Sequence, residues 1–261
     1  MTAAIHRTLS ALELLSRHPQ GLAVQSVSAR LGLAPSAAHR LLNDLRQAGY
    51  VRQDPDTAAY GLTIRLAGLG LTWLGLTGLP DVCQPVLDDL AKTSGELVRL
   101  SVVDGDRLIW VAFAQGATAG LRYDPAREQG GEAPLAYSAS GRAWAATLDR
   151  DRARQLIRMQ GLTPPEGAAE NAQLTMDQAL DHVARAASSG YAEVVDGFLT
   201  GMAAIAVALP AGSPAPGCLS IAGPAVRLTS ERREGLLPAV KAAATEISAM
   251  LPASGFFRGM R

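Results

Sequence analysis

The chain has 261 residues, of which 48% are apolar, so it is long enough for one large or two ordinary domains with buried cores. Its 24 basic and 24 acidic residues give a formal net charge of zero, which excludes a protein coated in positive potential. Its two cysteines, Cys83 and Cys218, lie far apart without metal-ligand spacing, which predicts reduced thiols and leaves one disulfide as the alternative.

Charge is distributed unevenly along the chain. The first 65 residues hold seven arginines and four acidic residues, a local basic excess that is typical of a nucleic-acid-binding region. The N-terminal stretch lacks the basic and then apolar layout of a signal peptide, because Arg7 and Glu13 interrupt it. We therefore expect a soluble, cytoplasmic protein.

Two amphipathic helices are predicted before Gly32. Apolar spacing predicts a first helix that ends before His18, and a second helix that ends at Gly32. The apolar stripe of the first helix is Ile5, Leu9, Leu12 and Leu15, and that of the second is Val24, Val27 and Leu31.

A third helix follows a tight turn, begins at Pro35 or Ser36, and ends with Gly49 just beyond it. Its apolar positions repeat at i, i+3, i+4 and i+7, so one face is expected to be buried. The opposite face is rich in donors and contains no acid, which suits contacts to phosphates and base edges. The buried face is Ala38, Leu41, Leu42 and Leu45, and the donor face is Ser36, His39, Arg40, Asn43 and Gln47.

This helix pair predicts a helix-turn-helix, although most such pairs in proteins bind no DNA. If it reads DNA, Ser36, Ala37 and Arg40 are expected to face base edges, with Arg40 able to hold a guanine bidentately. The remaining polar side chains are expected to contact phosphates. These are His39, Asn43, Arg46, Arg52 and Arg7.

A β-hairpin is predicted directly after the third helix. Residues 50–53 and 59–62 have strand character, and an Asp54-Pro55-Asp56 turn separates them. Three helices followed by such a wing predict a winged helix-turn-helix of about sixty residues.

The sequence from Thr8 to Leu62 resembles the N-terminal domain of the IclR family of bacterial transcriptional regulators. The shared pattern is A-L-x-L-L in the first helix, then P-x-G-L, then L-G-L-x-x-S-x-x-x-R-L-L, then L-x-x-x-G-Y-V-x-x-D-P. Later segments also resemble the family, namely PLAYSASGRAWAA, GYAEVVDGFLTGMAAIAVAL and CLSIAGP. The resemblance implies a ligand-responsive regulator that binds double-stranded operator DNA as a homodimer or a dimer of dimers.

Residues 62–79 are expected to form a mostly buried helix that four glycines weaken. The resemblance implies that it links two domains and contributes to a dimer contact. The segment is too short and too broken for a membrane span, so no membrane partner is expected. It also lacks the glycine spacing of a dinucleotide-binding loop. We expect domain limits of 1–62, 63–79 and 80–261.

The remainder predicts an α+β domain with a mostly antiparallel sheet. Strands are expected at 96–103, 107–114, 119–123, 191–195, 202–209 and 217–223, and helices at 82–93, 140–147, 151–159, 176–188 and 230–251. The family's effector domain has a GAF-like fold, which this order resembles. The expected fold class is therefore α+β, a winged helix-turn-helix joined by a linker helix to a GAF-like α/β effector-binding domain.

Small residues precede a helix at Ser138, Ala139, Ser140 and Gly141. Unpaired amides at a helix start bind carboxylates well, although an ordinary N-cap is the simpler interpretation. The resemblance implies a small carboxylate effector at this turn. Carried over by position, the Ala139 and Ser140 amides, the Ser220 hydroxyl, Met202 and Asp196 would complete the site.

Several positions depart from the family pattern. Asp196 stands where the family often has two acids, and Ala204 and Ala222 replace a frequent cysteine and a small polar residue. This less polar pocket predicts a larger, partly apolar acid, including an aromatic one near Trp110 or Tyr137, although both are common core residues.

An enzyme, most simply a hydrolase, is the rival function. His182 is the only histidine after the first 62 residues, and its helix position suggests a solvated surface. The chain lacks G-x-S-x-G, HExxH and CxxC motifs. We therefore expect no catalytic residue, no metal and no cofactor.

Overall fold

The computed structural model describes residues 3–125 and 128–251, and by its contacts the chain divides into one unit that ends at Leu76 and a second that begins at Thr77. In the first unit the helices are α1 (Ala3–Ser16), α2 (Val24–Leu31) and α3 (Pro35–Gln47), followed by the strands β1 (Val51–Gln53) and β2 (Tyr60–Leu62). Helix α4 (Ile64–Thr77) runs up to the boundary. The predicted three helices and hairpin are confirmed.

The core of the first unit is built from one face each of α1, α2 and α3. Val27, Leu42 and Leu45 pack with Leu15 and with other buried side chains of α1 and the hairpin. Gly32 ends α2 in the left-handed region at φ 61°, and Gly49 follows α3 at φ 81°. Both glycines stand where a helix must stop and the chain must turn, as the sequence predicts.

The buried face of α1 differs from the predicted one. Ile5 and Leu9 are 52% and 47% exposed, whereas Ala11 and Leu15 are buried. Ala11 lies one turn before Leu15, and its small side chain lets α1 approach its neighbours closely. A count of large apolar residues overlooks such an alanine, which explains the error.

The hairpin is attached to the start of α2. Val51 pairs with Leu62 and Gln53 with Tyr60, and Leu22 adds a bridge to Tyr60 through two backbone hydrogen bonds of 2.9 and 2.8 Å. Gly21, at φ 81°, makes this approach possible, because a Cβ there would lie 2.9 Å from the Tyr60 carbonyl oxygen. The wing is thereby held against the helices.

Helix α4 is exposed in the single chain, contrary to the prediction of a mostly buried helix. Ile64 and Leu76 are each 82% exposed, and Leu71 is 68% exposed. Among the described residues, no single helix is long and apolar enough to cross a membrane.

The second unit is a five-stranded antiparallel sheet with helices packed against it. Its strands are β3 (Leu97–Asp104), β4 (Arg107–Gln115), β5 (Ala192–Val195), β6 (Met202–Ala208) and β7 (Gly217–Pro224). They lie in the order β4-β3-β7-β6-β5. The helices are α5 (Leu79–Ser94), α6 (Ala139–Ala145), α7 (Arg150–Gln160), α8 (Met176–Ser189) and α9 (Ser230–Met250).

Central strand β7 is buried at all eight positions, as expected of a strand covered on both faces. Helices α5 and α9 contact the sheet and each other, and α6 contacts β5, β6, β7 and α8. The predicted α+β architecture is confirmed. One element is wrong: residues 119–123 form no strand, and their backbone follows an irregular path after β4.

Candidate DNA-binding face and ligand chamber

Helix α3 presents its polar side chains on the face opposite its buried leucines. Ser36, His39, Arg40 and Arg46 are exposed, and Ala37 and Asn43 are partly exposed. Ala38, Leu42 and Leu45 hold the other side of the helix in the core. The predicted base-reading and phosphate-contacting residues of α3 therefore share one accessible surface.

The arginine side chains predicted to contact DNA have no polar partner in the described part of the chain. The side chains of Arg40, Arg46, Arg52 and Arg7 make no hydrogen bond and no ion pair there. The Asn43 amide lies 3.2 Å from His39 Nδ1, one helical turn away, so these two side chains orient each other. Free guanidinium groups on an exposed helix can bind phosphates and base edges.

Arg65 has a structural role that sequence reasoning overlooked. Its Nη1 donates to the Ala48 carbonyl oxygen at 2.8 Å, and its guanidinium carbon lies 4.9 Å from the centre of the Tyr50 ring. It therefore binds a carbonyl at the end of α3, where backbone acceptors lack helical partners. The only sequence signal was an arginine just after the wing.

The small-residue turn of the second unit is a capped helix start. The Ser138 hydroxyl accepts from the Gly141 amide at 2.9 Å and donates to the Pro134 carbonyl oxygen at 2.8 Å. The simpler N-cap interpretation thus holds for Ser138. The amides of Ala139 and Ser140 make no hydrogen bond within the described part of the chain.

Three of the seven expected effector residues line one small cavity. Ser138, Ala139 and Met202 surround a space of about 30 Å³, which we call the chamber. Strand register explains the assembly: Ala204 pairs with Ala222, so both face the same side of the sheet. The other lining residues are Arg99, Tyr123, Val194, Phe198, Ala203, Ala204 and Ala222.

The other four expected residues do not line the chamber. Ser140 is buried. Gly141 faces the preceding segment, where a Cβ would lie 2.4 Å from the Pro134 carbonyl oxygen. Ser220 is buried opposite Arg99 in the sheet, and its hydroxyl lies 3.4 Å from the Arg99 carbonyl oxygen. Asp196, at φ 57°, accepts from the Gly201 amide and stabilises a turn.

Arg99 is the chamber residue that sequence reasoning missed. It is the one charged residue in the apolar run Leu97–Val103, and its side chain is buried. A lone arginine in a central strand was the available signal, since buried charges are rare unless they are paired or functional. Trp110 and Tyr137, proposed as neighbours of an aromatic acid, are also buried.

A larger cavity of about 590 Å³ lies beside β5 and α8 and includes Asp196 in its lining. His182 Nδ1 lies 3.2 Å from Arg142 Nη1 and 2.7 Å from Arg185 Nη2, so this nitrogen accepts from both. Burial, and then the charges of the two arginines, lower the pKa of His182 to about 4. His182 is therefore partly buried and hydrogen-bonded rather than solvated, and it is a poor base for a hydrolase.

The described residues give little support for a metal-binding site or for a reactive cysteine. They contain no group of three or more His, Cys, Asp or Glu side chains that could hold a metal ion. Cys83 and Cys218 are both free and buried, in agreement with the predicted reduced thiols. Burial raises the pKa of the Cys83 thiol to about 11 and raises that of Cys218 as well, so both are unreactive.

Known proteins resemble the chain along nearly its whole length. It is 26% identical over 247 residues to the acetate operon repressor of Salmonella typhimurium, covering 94% of this chain and 88% of the relative. It is 29% identical over 260 residues to the glycerol operon regulatory protein of Streptomyces coelicolor, covering 97% and 98%.

Solved structures share the fold. An IclR transcriptional regulator from Alicyclobacillus acidocaldarius superposes with a TM-score of 0.80 at 23% identity, covering 95% of this chain and 98% of that one. An IclR homologue from Microbacterium hydrocarbonoxydans, complexed with 4-hydroxybenzoate, superposes with a TM-score of 0.75 at 20% identity, covering 97% and 100%.

Family models match both units. The IclR helix-turn-helix domain matches residues 4–55, and the C-terminal domain of bacterial IclR transcriptional regulators matches residues 73–249. The second match alone spans more than half of the chain and includes the sheet and the chamber. The chain therefore belongs to the IclR family of DNA-binding transcriptional regulators.

Proposed function

We propose that this protein binds operator DNA through α3 and the wing and represses transcription there. Its affinity for the operator would fall or rise when a small carboxylate occupies the chamber. The exposed face of α3, whose guanidinium groups have no acceptor among the described residues, carries the proposal for DNA. Repression is supported by relatives whose names include a repressor. Binding to operator DNA would place the protein in the bacterial cytoplasm.

The proposed contacts divide by chemistry. Ser36, Ala37 and Arg40 lie toward the start of α3, which is the part of a recognition helix that contacts base edges. His39, Asn43, Arg46, Arg52 and Arg7 supply donors for phosphates. The net charge of the whole chain is zero, so this local surface would provide the attraction, and binding should weaken steeply with salt.

The proposal for a carboxylate effector rests on the chamber and its neighbours. The amides of Ala139 and Ser140 at the start of α6 make no hydrogen bond within the described residues, and Arg99 brings a positive charge to the cavity wall. The Microbacterium hydrocarbonoxydans homologue binds 4-hydroxybenzoate, a carboxylate.

We also propose that the working form is a homodimer or a dimer of dimers. Apart from Arg65, Thr72 and Thr77, helix α4 consists of apolar residues and glycines, and such helices are normally buried. Its exposed leucines therefore favour coverage by a second copy of the chain. Two copies would place two α3 helices on operator half-sites about one helical turn apart.

The proposal can be tested by selection of DNA fragments. The full-length protein is incubated with fragmented DNA from its source genome, and the bound fragments are sequenced. A shared inverted repeat is expected, with affinity that changes when a panel of metabolic acids is added. Enrichment of random fragments would contradict sequence-specific binding, and unchanged affinity across the panel would contradict effector control.

A further inference from the structure

Arg99 stands at the wall of the chamber with its charge enclosed by aromatic rings. The residue is 5% exposed, and its guanidinium carbon lies 4.3 Å from the Trp110 ring centre and 5.2 Å from that of Tyr123. Its neighbours across the cavity include Phe198 and Met202. The chamber thus combines one cation with a mainly apolar and aromatic lining.

One internal carboxylate balances this charge. Arg99 Nη1 donates to Glu128 Oε2 at 2.6 Å, and the other oxygen of Glu128 accepts from the Tyr123 hydroxyl. Glu128 therefore occupies only one edge of the guanidinium group. It comes from the segment after β4 and not from the sheet, so the pair joins two separately placed parts of the fold.

Two buried donors at this place have no acceptor among the described residues. Arg99 Nε and Trp110 Nε1 are enclosed and make no hydrogen bond there. Buried donors normally find partners, and an unpaired one is unfavourable. The space of about 30 Å³ has room for one water molecule and not for an organic acid, so a ligand must displace side chains.

Phe198 is the side chain best placed to move. It is partly buried, lies edge-on to Trp110 with ring centres 5.9 Å apart, and sits in the turn between β5 and β6. Gly197 and Gly201 flank it, and Gly201 has φ 77°. The ring of a ligand could replace the Phe198 ring against Trp110 and keep the aromatic contact.

We infer that Arg99 is the receptor for the acid group of an aromatic carboxylate, and that Glu128 holds that receptor in the unliganded protein. The ligand's carboxylate would accept from Arg99 Nε, and its ring would lie among Phe198, Met202 and the alanines of β6 and β7. A planar carboxylate matches a guanidinium edge, which explains why an arginine suits this position. The inference rests on the proposed effector control and identifies its ligand class.

Calorimetry on the full-length protein tests the inference with benzoate as the probe. Benzamide, which lacks the charge, and acetate, which lacks the ring, are the matched comparisons. Wild-type protein is expected to bind benzoate at least tenfold more tightly than either. Equal binding of benzamide or acetate would overturn the ligand class.

Variants test the receptor. The double variant Arg99→Gln/Glu128→Gln removes both charges, so that no lone buried charge remains, and it should lose benzoate affinity at least tenfold. Glu128→Gln alone removes the competing carboxylate and should raise affinity severalfold. Arg152→Gln/Asp106→Asn removes a surface ion pair of the same unit and should leave affinity unchanged.

The outcomes separate this inference from the proposed function. If wild-type protein and the Arg99→Gln/Glu128→Gln variant bind benzoate equally, Arg99 is not the receptor, although acid sensing stands. If wild-type protein binds neither benzoate nor acetate while the panel of metabolic acids still changes its operator affinity, the aromatic ligand class fails and acid sensing stands. Circular dichroism of each variant must match the wild-type spectrum.

Discussion

Arg40 and Arg46 lie on the same exposed face of α3 and have no protein partner among the described residues, yet we assign them different contacts. Arg40→Ala should reduce affinity for the selected operator by about 1–3 kcal/mol and leave binding to random DNA nearly unchanged. Arg46→Ala should weaken binding to operator and to random DNA alike. It should also reduce the steepness of log affinity plotted against log salt concentration by about 1. Fluorescence anisotropy at several salt concentrations measures these quantities.

Each of the two variants serves as the control for the other, since both remove one exposed positive charge from the same helix. Folding should be unaffected, because exposed residues without partners contribute little to stability. Equal losses on operator and random DNA for Arg40→Ala would show that Arg40 contacts phosphate and would remove its assignment to base edges.

Arg65 is the arginine of the first unit whose contacts are internal. Arg65→Met keeps the apolar stem and removes the hydrogen bond to Ala48 and the interaction with the Tyr50 ring. We expect a loss of about 1 kcal/mol in the stability of the first unit. Hydrogen exchange should show faster exchange at the end of α3 and in the hairpin.

Arg52→Met is the matched control, since the Arg52 side chain is also exposed and makes no hydrogen bond or ion pair within the described residues. It should leave exchange in the first unit unchanged. Equal acceleration by both substitutions would assign the effect to charge alone and not to the contacts of Arg65.

His182 makes the second unit sensitive to acid. The groups facing it are Arg142, Arg185 and Asp181, and burial together with the arginines lowers its pKa from 6.5 to about 4. Because the unfolded chain takes up the proton near pH 6.5 and the folded chain resists it, the contribution of neutral His182 is complete above pH 6.5. It is lost as the pH falls toward 4.

Thermal denaturation between pH 7 and pH 4 measures this effect, and His182→Gln is the comparison because its amide oxygen can still accept from an arginine. The melting temperature of the wild type should fall more steeply than that of the variant across this window. Parallel curves would mean that the pKa of His182 is close to its ordinary value in the folded protein.

At the level of single elements, apolar spacing predicts a helix and its buried face correctly where large side chains decide the packing. It predicted α3 and its buried Ala38, Leu42 and Leu45, and glycines correctly marked the ends of α2 and α3. It failed for α1, where Ala11 lies in the contact. It failed for α4 as well, because the sequence shows that the side chains of a helix are apolar and does not show whether the same chain or a partner covers them.

Gly141 illustrates how one element limits another. Its backbone packs against the chain at Pro134, so Gly141→Ala would place a Cβ 2.4 Å from a carbonyl oxygen. We expect a loss of about 1–3 kcal/mol in the stability of the second unit, measured by urea denaturation. The glycine would then be required for packing and not for access of a ligand.

Gly235→Ala in α9 is the control within the same unit, because a Cβ there meets nothing within 4 Å. It should stabilise the unit by up to about 1 kcal/mol, as alanine does in an exposed helix interior. If Gly141→Ala instead kept full stability and lost only carboxylate binding, the glycine would belong to the ligand site.

At the scale of the molecule, the chamber is the part that the sequence left incomplete. Ser138, Ala139 and Met202 were identified through the family resemblance, and all three line the cavity. Arg99, Tyr123 and Phe198 were not identified, since they come from segments up to about a hundred residues apart. Antiparallel register across β3, β7 and β6 brings these segments together, and sequence periodicity carries no information about which strands are neighbours.

The exposed apolar surface of α4 leads to a prediction for the assembled protein. Leu69 and Leu76 are 53% and 82% exposed and lie seven residues apart, so they share one side of the helix. Leu69→Glu/Leu76→Glu should convert a dimer to monomers, because charged side chains would have to be buried in the contact. Sedimentation equilibrium at micromolar concentration measures the mass, and operator affinity should fall in parallel because each half-site would bind alone.

Val226→Glu changes an equally exposed apolar residue of the second unit, and we expect it to leave the mass unchanged. A double variant with the mass of the wild type would exclude α4 as the dimer contact, since an apolar interface tolerates two opposed pairs of carboxylates poorly.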